Sequence, residues 1–264
     1  MTNELLTRIY NGLAFVTLNR PERLNALTHE MLAGLVAVLT DMAANPDIGC
    51  VVLTGAGTAF CSGGDVKVQA ASAGKSKLSP EQRTDQLRRG MEASRLLHEM
   101  PKPTIAMVNG VAAGAGMSLA LACDMRIVAE SARMTAAFAK VGLSGDYGGT
   151  WFLTKLIGPA LARELYFTSE VLDARRMLAL RLANRVVPDD RLSEETMALA
   201  SKLAAGPRVA WRYIKRNMKV AEEGSLAEAL DSEAFGMMRC RDTEDHAEAA
   251  HAFVEKRAPV FKGR

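Results

Sequence analysis

Two segments of this chain repeat one order of features, which is an apolar run followed by a glycine-rich turn and a helix-forming stretch. The first segment covers residues 50–65 and begins with Cys50–Leu53, which contains no polar side chain. The second covers residues 104–122 and begins with Thr104–Val108. Short apolar runs bounded by turn signals predict buried strands, and their alternation with helices predicts an α/β core.

Local signals define the elements around this core. Asn11-Gly12 separates two strand-like runs, Leu5–Tyr10 and Leu13–Asn19, and predicts a β-hairpin because both turn positions favour positive φ. Thr28 predicts the start of a helix. Further predicted elements are a helix at 80–100, a strand at Met125–Ala129, a mobile loop at 69–79, and helices at 173–183, 191–205, 208–222, 225–239 and 243–257. We therefore predict a mixed core over residues 1–200 and a C-terminal helical region over 201–264.

Composition narrows the class of protein. The 264 residues carry a net charge of +3, which does not argue for nucleic acid as a partner. No uninterrupted apolar run approaches the ~18 residues of a membrane span, and the first ten residues lack a secretory layout. The four cysteines form no CxxC pair and do not group with histidines at ligand spacing. We expect a cytoplasmic chain with reduced thiols, no membrane segment and no metal.

The glycine-rich turns allow close approach of the backbone to a ligand. They are Phe60–Asp65 and Gly110–Gly116. Backbone N–H groups at a turn or a helix start are unpaired, and two of them aimed at one oxygen form an oxyanion hole. Taken separately, each turn is equally consistent with tight packing of a strand on a helix.

Together these turns and other short motifs resemble the crotonase (enoyl-CoA hydratase/isomerase) superfamily. The matching residues run in the family order along nearly the whole chain: Asn19-Arg20-Pro21, Asn25-Ala26-Leu27, Val51–Gly55, Phe60–Asp65, Lys102-Pro103, Asn109-Gly110, Gly114–Asp124, Gly148-Gly149-Thr150 and Phe253–Arg257. The resemblance implies an α/β spiral of strand–strand–helix turns, with a C-terminal helical region that builds homotrimers or homohexamers.

The resemblance also implies an acyl-CoA substrate, with no cofactor beyond the coenzyme A that the substrate carries. By resemblance, the oxyanion-hole N–H groups belong to Ser62 and Ala115. The implied substrate- and coenzyme-binding residues are Arg23, Leu24, Ser62, Gly63, Gly64, Asp65, Ala115, Phe253 and Lys256. The last two would approach the nucleotide, either of the same subunit or of a neighbouring one.

The carboxylates separate the reactions that such a site can perform. Family hydratases use two glutamates, whose positions align here with Ser118 and Phe138, and neither residue is a base. Asp146 remains, at a point where some isomerases of the phenylacetyl-CoA pathway type carry an aspartate. One carboxylate suits a double-bond shift, in which a single group removes a proton and returns it two carbons away. We expect isomerisation by Asp146, with hydration of a 2-enoyl-CoA as the alternative.

Other assignments stay open at this point. Ser118 and Phe138, with Tyr147 and Trp151, are candidates for the acyl pocket, although the last two are equally consistent with core positions. Gly116–Ala120 resembles a nucleophile elbow with Ser118 as the nucleophile, but no histidine lies nearby in sequence. One face of the 208–219 helix is basic, with Arg208, Arg212, Lys215, Arg216 and Lys219. It predicts a solvated face, a contact with coenzyme phosphates, or, more distantly, a non-catalytic RNA-binding member of the family.

Overall fold

The chain begins with the predicted hairpin. In the computed structural model, which describes residues 3–65 and 77–264, β1 (Leu5–Tyr10) pairs antiparallel with β2 (Leu13–Leu18). Asn11 and Gly12 join them with φ values of 49° and 75°. These are left-handed conformations, which the Asn-Gly pair adopts at the least steric cost.

Three successive stretches of the chain, which include the two repeated segments, each give one strand to each of two sheets. In each stretch the first strand joins the larger sheet and the second joins the smaller one. These strands are β3 (Cys50–Gly55) and β4 (Ala59–Cys61), then β5 (Thr104–Val108) and β6 (Val111–Ala113), then β7 (Met125–Ala129) and β8 (Arg133–Thr135). Two further strands are β9 (Leu172–Asp173) and β10 (Arg185–Val187). The sheets have the orders β1-β2-β3-β5-β7-β10 and β4-β6-β8-β9. This spiral of strand pairs is the α/β architecture that the resemblance predicts.

Eleven α-helices lie in the described residues. They are α1 (His29–Ala44), α2 (Pro80–Gly90), α3 (Glu92–Glu99), α4 (Ala115–Ala122), α5 (Gly149–Ile157), α6 (Pro159–Thr168), α7 (Ala174–Ala179), α8 (Leu192–Ala204), α9 (Arg208–Glu223), α10 (Leu226–Arg241) and α11 (Glu244–Glu255). Several begin at the caps that their sequences suggest, since Thr28 accepts from the Met31 N–H at 3.0 Å and Ser225 forms a capping box with Glu228.

The core lies around β3, β5 and β7, which have nearly continuous apolar side chains because both faces of the sheet are covered. Helix α4 is part of this core, and all eight of its residues are buried. It is built from alanine, glycine, leucine, methionine and one serine. Such small side chains let the helix pack closely behind the glycine-rich turns.

Three predictions about elements need correction. The predicted 80–100 helix is two helices, α2 and α3, separated at Met91. The helix predicted at 173–183 is shorter, since α7 ends at Ala179, and the gap before the next predicted helix contains β10, which pairs parallel with β7. The predicted boundary at residue 200 lies inside α8, whose Leu192, Ala200 and Ala204 belong to the main core cluster. The break between elements occurs at Gly206-Pro207 instead.

The remaining predictions about elements concern the loop at 69–79 and membrane segments. Residues 69–76 of that loop lie outside the described part of the chain, and Ser79 caps α2. Within residues 3–65 and 77–264, no helix combines the length and apolar character needed to cross a membrane.

Candidate active site

The two glycine-rich turns lie side by side because their strands, β4 and β6, are parallel neighbours. Gly63 has φ of +90°, and a Cβ there would lie 2.7 Å from the carbonyl oxygen of Ala113 and 3.4 Å from the amide nitrogen of Ala115. A side chain would therefore collide with the second turn. Glycine at this position allows the first turn to approach the start of α4.

Two backbone N–H groups are unpaired where the turns meet. In the part of the chain that the structure describes, the N–H groups of Gly64 and Ala115 have no hydrogen-bond acceptor. Ala115 is the first residue of α4, so its N–H has no partner within the helix. The Ser62 N–H instead donates to the Leu24 carbonyl oxygen at 2.9 Å. This bond contradicts the prediction that the Ser62 N–H is an oxyanion-hole donor, and Gly64 is the free donor of this turn.

Two asparagines hold the turn that precedes this site. The Asn25 side chain is fully buried and donates to the carbonyl oxygens of Ala56 and Ala59 at 2.9 and 2.7 Å. Asn109 donates to Gly55 and Gly57, each at 2.9 Å. Both residues belong to motifs of the family resemblance, but the sequence alone did not indicate this role. They fix the backbone that carries the glycine turn.

A cavity of about 300 Å³ opens beside the first turn. Its walls include five residues predicted to bind the coenzyme, together with Glu22 and Ala26: Arg23, Leu24, Ser62, Gly64 and Asp65. The Asp65 carboxylate lies 3.5 Å from the Arg20 guanidinium, so its charge is partly compensated by the protein. The predicted residues of the 23–24 and 62–65 segments are thus brought together.

Asp146 lies in a loop between Gly145 and Gly148, whose φ values are +120° and +74°. Burial raises the pKa of its carboxyl group from 3.8 to about 6. Its Oδ1 atom is buried and has no hydrogen-bond partner among the described residues. Burial raises the pKa of Cys61, a residue at the start of the first glycine turn, and the Asp146 charge raises it further. A carboxylate with this pKa can accept a proton near neutral pH.

Ser118 and Phe138 lie around the same region. The Ser118 side chain is fully buried, and its hydroxyl donates to the Gly114 carbonyl oxygen at 3.3 Å. A Cβ on Gly114 would lie 3.6 Å from the Phe138 ring. None of the contacts of Ser118 in the described residues involves a histidine, so the arrangement lacks the base that a nucleophilic serine requires.

Tyr147 and Trp151 line a different cavity, of about 320 Å³, between α3 and α5. Tyr147 is buried and its hydroxyl faces Gly90, where a Cβ would lie 2.9 Å away. The Trp151 ring packs edge-on against the rings of His98 and Phe152. Both candidates line this cavity, and burial raises the pKa of Tyr147, to which the nearby charges of Asp146 and Cys61 add.

The last two predicted coenzyme-binding residues, Phe253 and Lys256, are exposed at the end of the chain's last helix. The Phe253 side chain is 86% exposed on α11, and Lys256 ends that helix in a left-handed conformation. Neither lines the cavity beside the glycine turn.

The basic face of α9 contacts the protein core. Lys215 pairs with Asp124 at 2.8 Å, Lys219 pairs with Glu99, and Arg208 donates to the Pro46 carbonyl oxygen at 2.6 Å. Arg212 and Arg216 remain exposed. Three of the five cations are thus engaged in docking the helix, which leaves a smaller free basic surface than the sequence predicts. In the described residues, no group of three His, Cys, Asp or Glu side chains could hold a metal ion.

Comparisons with known proteins agree with this architecture. The family model described as Enoyl-CoA hydratase/isomerase matches residues 8–264. The chain is 36% identical to 1,2-epoxyphenylacetyl-CoA isomerase of Escherichia coli over 100% of both chains. It is 34% identical to the short-chain-enoyl-CoA hydratase of Clostridium acetobutylicum over 99% of both. A crystal structure of an enoyl-CoA hydratase from Polaromonas sp. JS666 superposes with a TM-score of 0.91 at 33% identity, covering 98% of this chain and 99% of that one.

Proposed function

Because the chain belongs to the enoyl-CoA hydratase/isomerase family, we propose that it is an enoyl-CoA isomerase in which Asp146 moves the proton. One observation carries this proposal: Asp146, whose Oδ1 is buried and unpartnered and whose pKa is raised to about 6, lies in a loop that packs through Gly149 against Ser118 of α4. The reaction also requires hydrogen-bond donors for the thioester oxygen, and the unpaired N–H groups of Gly64 and Ala115 are suited to this role.

The proposed reaction passes through an enolate. The thioester oxygen of a 3-enoyl-CoA accepts hydrogen bonds from the N–H groups of Gly64 and Ala115. The ionised Asp146 removes a proton from C2, and the electrons move onto the thioester oxygen, where the two N–H groups stabilise the negative charge. The carboxylic acid then returns the proton to C4 as the double bond forms between C2 and C3. Asp146 is regenerated and no atom is gained or lost.

Hydration is the alternative, and it has different requirements. Adding water to a 2-enoyl-CoA calls for a base that activates water and an acid that protonates C2. Ser118 and Phe138 occupy the two positions that align with the hydratase glutamates. The Ser118 hydroxyl donates to the Gly114 carbonyl oxygen. Relatives of similar identity are named hydratases, so a variant in which Asp146 activates water is the competing outcome of the test.

The test is a time course with 3-enoyl- and 2-enoyl-CoA thioesters in heavy water, followed by mass spectrometry. Conversion of the 3-enoyl into the 2-enoyl thioester without net addition of water supports isomerisation. The Asp146→Asn variant should lose turnover and keep its affinity for coenzyme A thioesters. Rapid addition of water to the 2-enoyl thioester, or near-normal turnover by the Asn variant, would refute the proposal.

We also propose that the active form is a homotrimer or homohexamer working in the cytoplasm. Phe253 and Val254 expose 86% and 80% of their side chains on α11, and large apolar surfaces of this kind are typical of protein interfaces. Phe253 and Lys256 would then reach the coenzyme of a neighbouring copy. Sedimentation velocity on the wild type and on Phe253→Asp tests this, and a wild type that sediments as a monomer would contradict it.

A further inference from the structure

Tyr166 lies over both ends of the loop that carries Asp146. A Cβ on Gly145 would lie 3.0 Å from Cε1 of Tyr166, and a Cβ on Gly149 would lie 2.5 Å from its hydroxyl oxygen. The two positions flank Asp146 in sequence, and both lack a side chain. The phenol ring therefore packs across the loop at close range, in space that any larger residue at either position would fill.

The ring itself is fixed in place. It stacks on Phe138 with the ring centroids 5.9 Å apart and the planes inclined by 9°. Tyr166 is 9% exposed, on helix α6. A stacked and buried ring has little freedom to turn its hydroxyl away from the loop.

Two buried polar atoms of this cluster have no partner. Within the described residues, neither the Tyr166 hydroxyl nor Oδ1 of Asp146 has a hydrogen bond of regular geometry, although the Ser118 hydroxyl lies close enough to the phenol to lower its pKa. Leaving such atoms unpaired costs free energy, because a buried polar group does not recover the hydrogen bond that it makes to water in the unfolded chain. Hydrogen bonds of a catalytic site often close only when the substrate is bound. A phenol that donates and a carboxylate that accepts are complementary, and the Tyr166 ring and hydroxyl contact the loop positions on both sides of Asp146.

We propose that Tyr166 is a positioning residue for Asp146, and that its hydroxyl donates a hydrogen bond to the ionised Asp146 carboxylate when an acyl thioester occupies the site. This inference rests on the proposed function, because it assigns Asp146 to proton transfer. The bond holds the carboxylate in one orientation and favours its ionised form. It thereby keeps a buried base available at neutral pH.

The other titratable groups that affect Asp146 are few. Among the described residues, those in electrostatic contact with it are Cys61 on β4, Tyr147 in its own loop and Tyr166 on α6. Burial raises the pKa of Cys61 to about 12 and raises the pKa of Tyr147 and Tyr166 above their ordinary value. All three stay neutral over the working range, so none of them contributes to a titration between about pH 5 and 8.

The test compares Tyr166→Phe with the wild type. The phenylalanine keeps the stack with Phe138 and removes only the hydroxyl. With acetyl-CoA bound, the Asp146 carboxyl pKa, read from carbon-13 NMR and assigned with Asp146→Asn, should rise by about one to two pH units, as expected for loss of a hydrogen bond to a charged group. The acid limb of the kcat profile should move up equally, so that kcat falls roughly five- to fiftyfold near pH 6, where about half of the wild-type carboxyl group is ionised, and recovers near pH 9. KM should change little.

Tyr213→Phe is the matched control, since Tyr213 lies on α9 against Phe235 and Gly236. It should behave as the wild type in every measurement. An unchanged Asp146 pKa in Tyr166→Phe, or a loss of kcat that is equal at every pH, would overturn the inference. The NMR titration needs no turnover, so a shifted pKa in an enzyme that hydrates its substrate would refute the proposed reaction while sustaining the role of Tyr166.

Discussion

The ammonium nitrogen of Lys215 lies 2.8 Å from a carboxylate oxygen of Asp124, which links helix α9 to the strand ends of the core. The same nitrogen donates to the carbonyl oxygens of Leu97 and Lys102 at 3.1 and 3.2 Å. Asp124 in turn accepts from the backbone N–H of Thr104 at 2.7 Å. A partly buried cation with three acceptors holds α9 in place, which makes the basic face of this helix a docking surface.

Replacing this cation should destabilise the fold. Lys215→Met keeps the aliphatic stem and removes three charge-assisted hydrogen bonds, for which we expect a loss of about 1–3 kcal/mol in the free energy of unfolding. Urea unfolding followed by circular dichroism measures it. Arg212→Met on the same helix is the control, because Arg212 is exposed and surface changes usually stay within about 0.5 kcal/mol. An equal loss of unfolding free energy in the two variants would show that the contact of Lys215 with Asp124 does not stabilise the fold.

The basic face also shows how far sequence reasoning reaches. Spacing along the chain correctly predicts the Asn11-Gly12 hairpin and the Thr28 cap, because both depend on residues within a few positions. It does not reveal that Lys215 meets Asp124, 91 positions away. The strand β10 was missed for a related reason. Its three residues are held by parallel pairing with β7 and carry no alternation of their own.

The same distinction applies within the active site. The family resemblance predicts which turns form the site, since glycine at these positions is a local backbone requirement. Which N–H of the first turn is free depends on Leu24, whose carbonyl oxygen engages the Ser62 N–H from a distant segment of the chain. Tyr166 had no sequence signal, because its place beside Asp146 follows from the packing of α6 on the 145–149 loop.

Gly149→Ala should damage both stability and catalysis. The new methyl group would lie 2.3 Å from Oγ of Ser118 and 2.5 Å from the Tyr166 hydroxyl, both in buried surroundings. Overpacking of this kind costs about 1–3 kcal/mol, and displacement of Tyr166 should lower kcat as well. Thermal unfolding and steady-state kinetics measure the two effects.

Gly34→Ala provides the opposite expectation. Gly34 lies within α1, and a methyl group added there would have Cδ2 of Leu5 as its nearest neighbour, at 3.7 Å. Alanine should stabilise the helix by roughly 0.5–1 kcal/mol. If Gly149→Ala were as stable as the wild type, the close packing of Tyr166 on the loop would be contradicted.

Ala115→Pro tests the second oxyanion donor. Proline lacks a backbone N–H, yet it is tolerated at the first position of a helix, and Ala115 is the first residue of α4. The helix should survive while kcat falls roughly a hundred- to a thousandfold, as for loss of one oxyanion-hole donor. Leu226→Pro makes the same change at the first position of α10 and should keep full activity. Turnover by Ala115→Pro close to that of the wild type would exclude its N–H from the reaction.

The raised pKa of Asp146 has a consequence for stability. Because the folded pKa of about 6 exceeds the ordinary value of 3.8, the folded chain binds more protons than the unfolded chain between these pH values. The contribution of this group to the free energy of unfolding is therefore present below about pH 4 and is lost as the pH rises through about 6.

Asparagine cannot ionise, so Asp146→Asn should be more stable than the wild type by about 1–3 kcal/mol at pH 7 and should lose that advantage near pH 4. Urea unfolding of both proteins across this range measures the difference, with Asp41→Asn at an exposed position as the reference. A constant difference between the Asp146 variant and the wild type at all pH values would mean that burial does not oppose ionisation of Asp146.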